Sequence, residues 1–333
     1  LIGAPAVLSM MNTPAETVEG SVLYLRVYFC GMVANLIYNV GAGILRAIGD
    51  SRKPLYFLIA SCLVNVVLDL LLVVVCDMGV AGVALATILS QLFSAVLVIA
   101  ALMRFPEEYC LNVRDIRFHG WVLRRIVAIG IPAGFQSLMY SLSNALIQTN
   151  VNSFGTSTVA AWTAYSKIDA LFWMMVSSFG IAITTFVGQN YGAGFYTRVR
   201  KGVRQCLLLT AVFTLFINII IIPFGEILFR LFTRDGEVVS IGIMMMRFLV
   251  PTFMTYICIE IFSGALRGMG DTLVPTLITG GGICGLRVLW LLAAVPRWNH
   301  MKTVMLSYPI TWVITSILFV VYYLWYTKKH RIG

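Results

Sequence analysis

Two acidic side chains stand inside strongly apolar runs, where each could bind or carry a cation. Asp69 interrupts the run from Leu63 to Val75, and Glu260 sits between Ile259 and Ile261. An ionisable group in hydrocarbon is costly and marks a functional site by default. Asn65 stands one helical turn before Asp69, on the same face, where its amide can bond the carboxylate or help coordinate a cation. Thr87 in the next apolar run can add another oxygen. Carboxylate and amide oxygens suit a hard cation such as Na+, and a carboxyl that gains and loses a proton suits H+. Against this, Asp69 is close enough to the outer end of its run to be simply hydrated, and Glu260 could pair with a basic group such as Arg287. Both alternatives stay open from sequence.

Lys167 and Asp169, two apart on a helix, do not share a face, so each needs another partner or an opening onto a water-filled cavity. Gln136, Asn144, Gln148 and Asn152 recur at helical spacing; a polar stripe in a membrane span faces protein or water rather than lipid. It reads as a pathway wall or as interhelical hydrogen bonding. Trp162, Tyr165, Phe172 and Trp173, with Phe135, Tyr140 and Tyr256, add an aromatic set. Aromatic faces attract organic cations, and 15 methionines allow adaptable packing. Taken singly, each ring reads as core or interfacial belt.

Other chemistries lack their residues. Seven cysteines are scattered without a Cys-x-x-Cys, and His119, His300 and His330 are far apart, so neither a disulfide framework nor a metal site is expected. Gly192-Ala193-Gly194 follows no strand and is no nucleotide fingerprint. No Walker motif is present, so ATP is not the expected energy source. No cluster of His, Cys and acidic residues gathers near an interface, and the expectation is a protein that is not an enzyme and needs no cofactor.

The elements that must position these groups are membrane helices. Charged residues make up 11% of the chain, apolar ones 59%, and the mean hydropathy is +0.90, whereas a soluble domain carries roughly a quarter charged residues. Nine apolar spans read as transmembrane helices, over residues 21–47, 54–76, 79–103, 126–153, 159–188, 204–224, 239–266, 274–295 and 303–326. An all-α polytopic membrane protein follows. Taking alternate inter-span segments as one side puts sixteen of the 24 Lys and Arg together, marking that side cytoplasmic. The net charge of +10 is thus a topology signal rather than a nucleic-acid one. The C-terminus is expected on the cytoplasmic side.

The chain is also internally repeated. Gly43 to Asp50, reading Gly-Ile-Leu-Arg-Ala-Ile-Gly-Asp, returns as Gly264 to Asp271, and Pro54 and Pro275 follow at the same distance. A shift of 221 positions also superposes Val18 on Val239 and Arg26 on Arg247 without a gap. Each turn reads as a cytoplasmic boundary: arginine holds it, glycine ends one helix and proline starts the next. The second copy starts near Arg125 with three spans before position 239. Mapped back, the first would begin about 95 residues before Leu1. The expected organisation is an incomplete N-terminal lobe over 1–104, a cytoplasmic linker over 105–125 containing Glu107, Glu108 and Asp115, and a C-terminal lobe over 126–333. On this reading the chain does not transport by itself.

The double Leu-Arg-x-x-Gly-Asp signature, Ala164-Tyr165-Ser166-Lys167-Ile168-Asp169, Val187-Gly188-Gln189-Asn190-Tyr191-Gly192-Ala193-Gly194, Gly130-Ile131-Pro132 and Asn65-Val66-Val67-Leu68-Asp69 resemble the multidrug and toxic compound extrusion (MATE) family over the whole chain. The resemblance implies a two-lobe bundle of repeated six-helix units, of which this chain holds helices 4–6 and 7–12. It implies a secondary active antiporter in the bacterial cytoplasmic membrane. Such a carrier exports bulky, often cationic amphipathic compounds in exchange for H+ or Na+ by alternating access. Asn65, Asp69 and Thr87 match the family's cation-coupling network, with Na+ possible at Asp69, and Glu260 is a second candidate. The C-lobe positions where some members carry acidic sodium ligands hold Tyr140 and Tyr256 here, which weakens a site there. The substrate pathway is expected to run along Gln136, Tyr140, Asn144, Gln148, Trp162, Tyr165, Lys167, Asp169 and Tyr256. A monomer in the lipid bilayer is expected, with small xenobiotics or metabolites as substrates. The alternative is a lipid-linked oligosaccharide flippase of related fold, which would need a more cationic cavity than the few basic residues inside spans suggest.

Overall fold

Long apolar runs broken by short Gly- and Pro-bearing turns fold as the hydropathy demands, into helices that satisfy their own backbones. The computed structural model describes residues 15–105, 110–112, 114 and 116–330. Leu1, the linker acids Glu107, Glu108 and Asp115, and the last three residues lie outside that set. Among the described residues there is no strand, and nine helical spans are long and apolar enough to cross a membrane. The chain divides into two compact units, residues 1–117 and 118–333.

The first unit contains α1 (Ala15–Ala47), α2 (Arg52–Asp69) and α3 (Gly79–Leu102). Small residues let α1 and α3 approach closely. A Cβ at Gly31 would lie 2.7 Å from Ile88, and one at Gly41 2.7 Å from Val98. Leu45, Val98 and Leu102 form the buried core at one end. Ser61 Oγ donates to the Ser90 carbonyl and ties α2 to α3 at 2.6 Å. After Asp69 the helix continues as a wider π turn over Leu70–Val75, so the residues that follow leave the register of α2.

The second unit contains α4 (Gly120–Asn152), α5 (Thr156–Gly192), α6 (Tyr196–Ile221), the short α7 (Gly225–Arg230), α8 (Gly236–Leu249), α9 (Phe253–Gly268), α10 (Leu273–Thr279), α11 (Leu286–Ala294) and α12 (Met301–Lys329). Pro251 splits one span into α8 and α9 through a single 3-10 turn, and a π turn at Gly280–Gly285 joins α10 to α11. Helix α4 begins at Gly120, inside the segment read as linker, and α6 begins at Tyr196, eight residues before the hydropathic span. Arg124 and Arg125 in the second turn of α4, and Arg198, Arg200 and Lys201 at the start of α6, lower the local hydropathy and hide these helix starts.

A glycine seam joins α5 to α9. A Cβ at Gly264 would lie 2.9 Å from the Gly180 carbonyl oxygen, and one at Gly268 2.6 Å from that of Thr184. The Thr184 hydroxyl donates to the Gly264 carbonyl at 3.0 Å, an interhelical bond available only at this separation. Phe172 stacks on Phe253 beside it, with centroids 4.0 Å apart.

The two copies of the repeat end their helices identically. Gly49 and Gly270 hold φ of 99° and 92°, the left-handed region where glycine carries no steric cost. Asp50 N–H donates to Leu45 O, and Asp271 N–H to Leu266 O; the glycines donate to Arg46 O and Arg267 O. This pair of bonds is the Schellman arrangement. Each aspartate then accepts from the start of the next helix, Asp50 from Lys53 N–H and Asp271 from Val274 N–H. That backbone bond, with the Lys53 ammonium at 3.0 Å, holds the Asp50 carboxyl below its ordinary range. Tyr322 on α12 donates to Asp271 at 2.6 Å, which anchors the second turn.

Candidate functional site

Within the second unit a cavity of about 620 Å³ opens between α4, α5, α9, α11 and α12. Helical periodicity supplies its walls. Gln136, Tyr140, Asn144 and Gln148 come from one face of α4, and Trp162, Tyr165, Asp169 and Trp173 from one face of α5. Tyr256, Glu260, Ser263 and Arg267 line it from α9, and Tyr308 and Trp312 from α12. Each set advances by three or four residues, the spacing that keeps a helix face pointed one way.

The rings form a continuous wall. Trp162 lies 6.2 Å from Tyr308, which lies 5.3 Å from Trp312; Trp312 meets Tyr256 at 5.6 Å, and Tyr256 meets Trp173 at 4.7 Å. Most contacts are tilted or edge-on, the geometry ring quadrupoles favour. Two carboxyls interrupt the wall. Trp173 Nε1 donates to Asp169 Oδ2 at 2.7 Å, while Asp169 Oδ1 is enclosed and accepts no hydrogen bond. Glu260 accepts from the Tyr256 hydroxyl at 3.3 Å and faces the Arg267 guanidinium at 3.9 Å. Gly180 makes room for it, since a Cβ there would collide with the Glu260 carboxylate.

Nine residues expected along the pathway or at coupling in this half therefore meet in one cavity: Gln136, Tyr140, Asn144, Gln148, Trp162, Tyr165, Asp169, Tyr256 and Glu260. Lys167 does not join them. It is exposed on α5 and off the cavity, because two residues of helix turn its side chain about 200° from Asp169. Phe135 also points outward, 61% exposed, and Phe172 is buried in the core. Asn152 accepts from Gln148 at 2.8 Å, so the polar stripe serves partly as hydrogen bonding within its own helix.

Glu260 pairs with Arg267 and not with Arg287. Arg287 instead lies over the Tyr308 ring, 4.3 Å from its centroid. Both arginines line the cavity, which is thus less poor in basic groups than the sequence suggested. Arg267, Arg287, Tyr308 and Trp312 line the cavity although the expected pathway does not include them. The spacing of Tyr308 and Trp312 by four on the last span was the available signal. The repeat held another: the 221 shift places Asn35 under Tyr256 and Asn39 under Glu260. Asn39 Nδ2 donates to Asn35 Oδ1 at 2.7 Å, so both copies carry a hydrogen-bonded polar pair one turn apart.

In the first unit, Asp69 Oδ1 is enclosed without a hydrogen-bond partner. The Thr87 hydroxyl donates to Val83 O of its own helix at 2.9 Å, and among the described residues no hydrogen bond joins Asn65, Asp69 and Thr87. The expected bond between Asn65 and the carboxylate is absent in this structure. Helix backbone acceptors compete for short hydroxyls in hydrocarbon, which accounts for Thr87. The three residues stand on neighbouring helices as a set of oxygens without a closed network. Among the described residues no group of three His, Cys, Asp or Glu could hold a metal.

The MatE family profile matches residues 1–71 and 132–291. Two relatives from Bacillus subtilis are each named a probable multidrug resistance protein. YoeA is 26% identical over 98% of this chain and 72% of its own length, and YpnP is 28% identical over 95% and 70%. Among solved structures, the Vibrio cholerae MATE transporter VcmN in its D35N form superposes with a TM-score of 0.90. It is 18% identical, over 99% of this chain and 75% of that one.

Proposed function

Because this chain belongs to the MatE family of membrane transport proteins, and is a multi-pass transporter rather than an enzyme, we propose that it is a secondary active multidrug efflux carrier whose substrate chamber is the cavity between α4 and α12. The observation that carries this reading is an aromatic wall interrupted by two carboxyls inside one cavity. Bulky amphipathic cations fit that chemistry: rings supply apolar area and cation attraction, and a carboxylate supplies the counter-charge. Residues 1–104 and 126–333 act as the two lobes, with 105–125 as a cytoplasmic linker, and the C-terminus is cytoplasmic. The working unit is a monomer in the bilayer of a bacterial cytoplasmic membrane, and no cofactor takes part.

Antiport follows from charge exclusion. Asp169 accepts one hydrogen bond and keeps a free oxygen, so it can take either the organic cation or the coupling ion, but not both in a low-dielectric space. H+ or Na+ arriving from outside would release the drug, and the drug arriving from the cytoplasm would displace the ion. Asp69, with Asn65 and Thr87, is a second coupling site in the first unit; Glu260 contributes through its pair with Arg267. Flipping of lipid-linked oligosaccharides calls for a predominantly cationic chamber. Here Asp169 and Glu260 offset Arg267 and Arg287.

The test is ethidium efflux from proteoliposomes holding the full-length protein, under an imposed H+ gradient or an imposed Na+ gradient. One gradient should drive export. Asp169→Asn, which keeps the acceptor for Trp173, should cut that export by about tenfold or more, as expected for loss of a charge partner in a partly dry site. Undiminished export by this variant would remove Asp169 from the mechanism, and export driven by neither gradient would refute the antiport reading.

A further inference from the structure

Arg287 is the best-buried charge in the second unit's cavity, with 2% of its surface exposed. A guanidinium stays charged and offers five N–H donors. Among the described residues none of the five makes a hydrogen bond, Nε is fully enclosed, and no carboxylate stands within ion-pair distance. The two nearby acids are otherwise engaged, Glu260 with Arg267 and Tyr256, and Asp169 with Trp173. The Tyr308 ring covers one face of the guanidinium at 4.3 Å, and a cation–π contact uses the face while leaving the donor edge free.

A structural arginine in hydrocarbon would spend its donors on backbone carbonyls of neighbouring helices; this one does not. Nor does it belong to the duplicated scaffold. The 221 shift places Val66 under it, so the charge is particular to the second copy. The π turn at Gly280–Gly285 ends two residues before it, and such turns gather at functional sites. Buried polar groups without partners call for an explanation, and a planar donor edge fits a carboxylate or phosphate. Trp162, Tyr308 and Trp312 line the same cavity, with Trp162 and Trp312 packed against the Tyr308 ring that Arg287 covers, and offer aromatic surface for a ring.

We propose that Arg287 is an anion-recognition residue and that the cavity accepts planar aromatic compounds bearing a carboxylate or a phosphate, with the ring against Trp162, Tyr308 and Trp312. The proposal rests on the cavity being the substrate chamber. It assigns the residue that reads the anion. The Arg267–Glu260 pair leaves Asp169 and Arg287 as the two unmatched charges, so a compound carrying both an ammonium and an anion would satisfy both.

Isothermal titration of the purified full-length protein in detergent tests this with three probes that share one ring: naphthylacetate, naphthyl phosphate and neutral naphthylethanol. Wild type should bind at least one anion about tenfold or more tightly than the alcohol, the discrimination expected of hydrogen bonds to a charged group. Preference for the phosphate alone would assign a phosphate-bearing substrate, and preference for both would admit carboxylates. Arg287→Leu should erase the preference while alcohol affinity stays within twofold, and Arg287→Lys should keep part of it. Equal affinity for all three probes, no binding of either anion, or a preference that survives Arg287→Leu would each overturn the assignment. The wild-type comparison stands even where a variant fails to fold. Binding in detergent needs no gradient, so a protein that selects the anions yet exports no ethidium would refute the efflux reading and leave Arg287 standing.

Discussion

The glycine seam gives a sharp test because the repeat supplies its own control. Gly264 and Gly43 are the same position in the two copies, 221 residues apart. A methyl at Gly264 would meet the Gly180 carbonyl oxygen at 2.9 Å and Ile183 at 2.8 Å, whereas one at Gly43 would meet nothing within 4 Å. Ordinary contact begins near 3.4 Å, so Gly264→Ala forces α5 and α9 apart by about half an ångström. Overpacking of that kind costs about 1–3 kcal/mol. The Thr184 bond to Gly264 O, already at 3.0 Å, lengthens, for about 0.6 kcal/mol more. The added alanine returns about 0.4–1 kcal/mol by restricting the unfolded chain, leaving a net loss of about 1–3 kcal/mol. Gly43→Ala receives only that gain. The two variants should therefore differ by about 2–4 kcal/mol, or roughly 5–10 °C in melting midpoint for a unit of this size. Thermal denaturation in detergent, followed by loss of the monodisperse peak on size exclusion, reads that gap. Midpoints for the two variants within about a degree of each other, or Gly43→Ala below Gly264→Ala, would show that the seam does not carry the packing described.

Asp69→Asn should abolish gradient-driven ethidium export from proteoliposomes of the full-length protein while leaving expression and elution profile unchanged. Full export by that variant would exclude the first unit's carboxyl from coupling. Gly270→Ala should lower the melting midpoint, because a Cβ at φ 92° costs about 1–2 kcal/mol and loosens the turn to which Tyr322 bonds. A midpoint equal to wild type would argue that the Schellman turn is not needed to join the two helices.

Architecture was written plainly in the chain, since helices in hydrocarbon must be long, apolar and self-bonded. The repeat was legible for the same reason: Arg, Gly and Asp at fixed spacing each serve a separate bond of one turn, and the two turns in the structure use them alike. Cavity residues on α4 and α5 could be read because polar and aromatic side chains recur there with helical period. What escaped depends on side-chain reach. Arg267 closes the last turn of α9 and was assigned to the boundary, yet its side chain extends back two turns to Glu260. Lys167 and Asp169 are both expected along the pathway by their place in an apolar span, and only rotation about the helix separates them. Arg287 follows a π turn, whose extra width shifts every later face in a way that a constant 100° step does not anticipate.

The seam between α5 and α9 also sets where the chamber can breathe. Backbone lies against backbone along Gly180, Thr184, Gly188, Gly264 and Gly268, which leaves no slack for sliding or spreading, so two of the chamber's sides behave as one stiff plate. Helix α4 is the opposite. Of its 33 residues only Ser143, Ile147 and Val151 are buried, and Pro132 removes a backbone bond from its interior. The wall expected to yield first is therefore the one bearing Gln136, Tyr140, Asn144 and Gln148, while Asp169 and Glu260 stand on the tightly packed pair of helices. A compound of a new shape would be accommodated by bending the amide-lined side around it. Breadth of substrate and constancy of the charged groups can then coexist, because flexibility and chemistry are assigned to different helices.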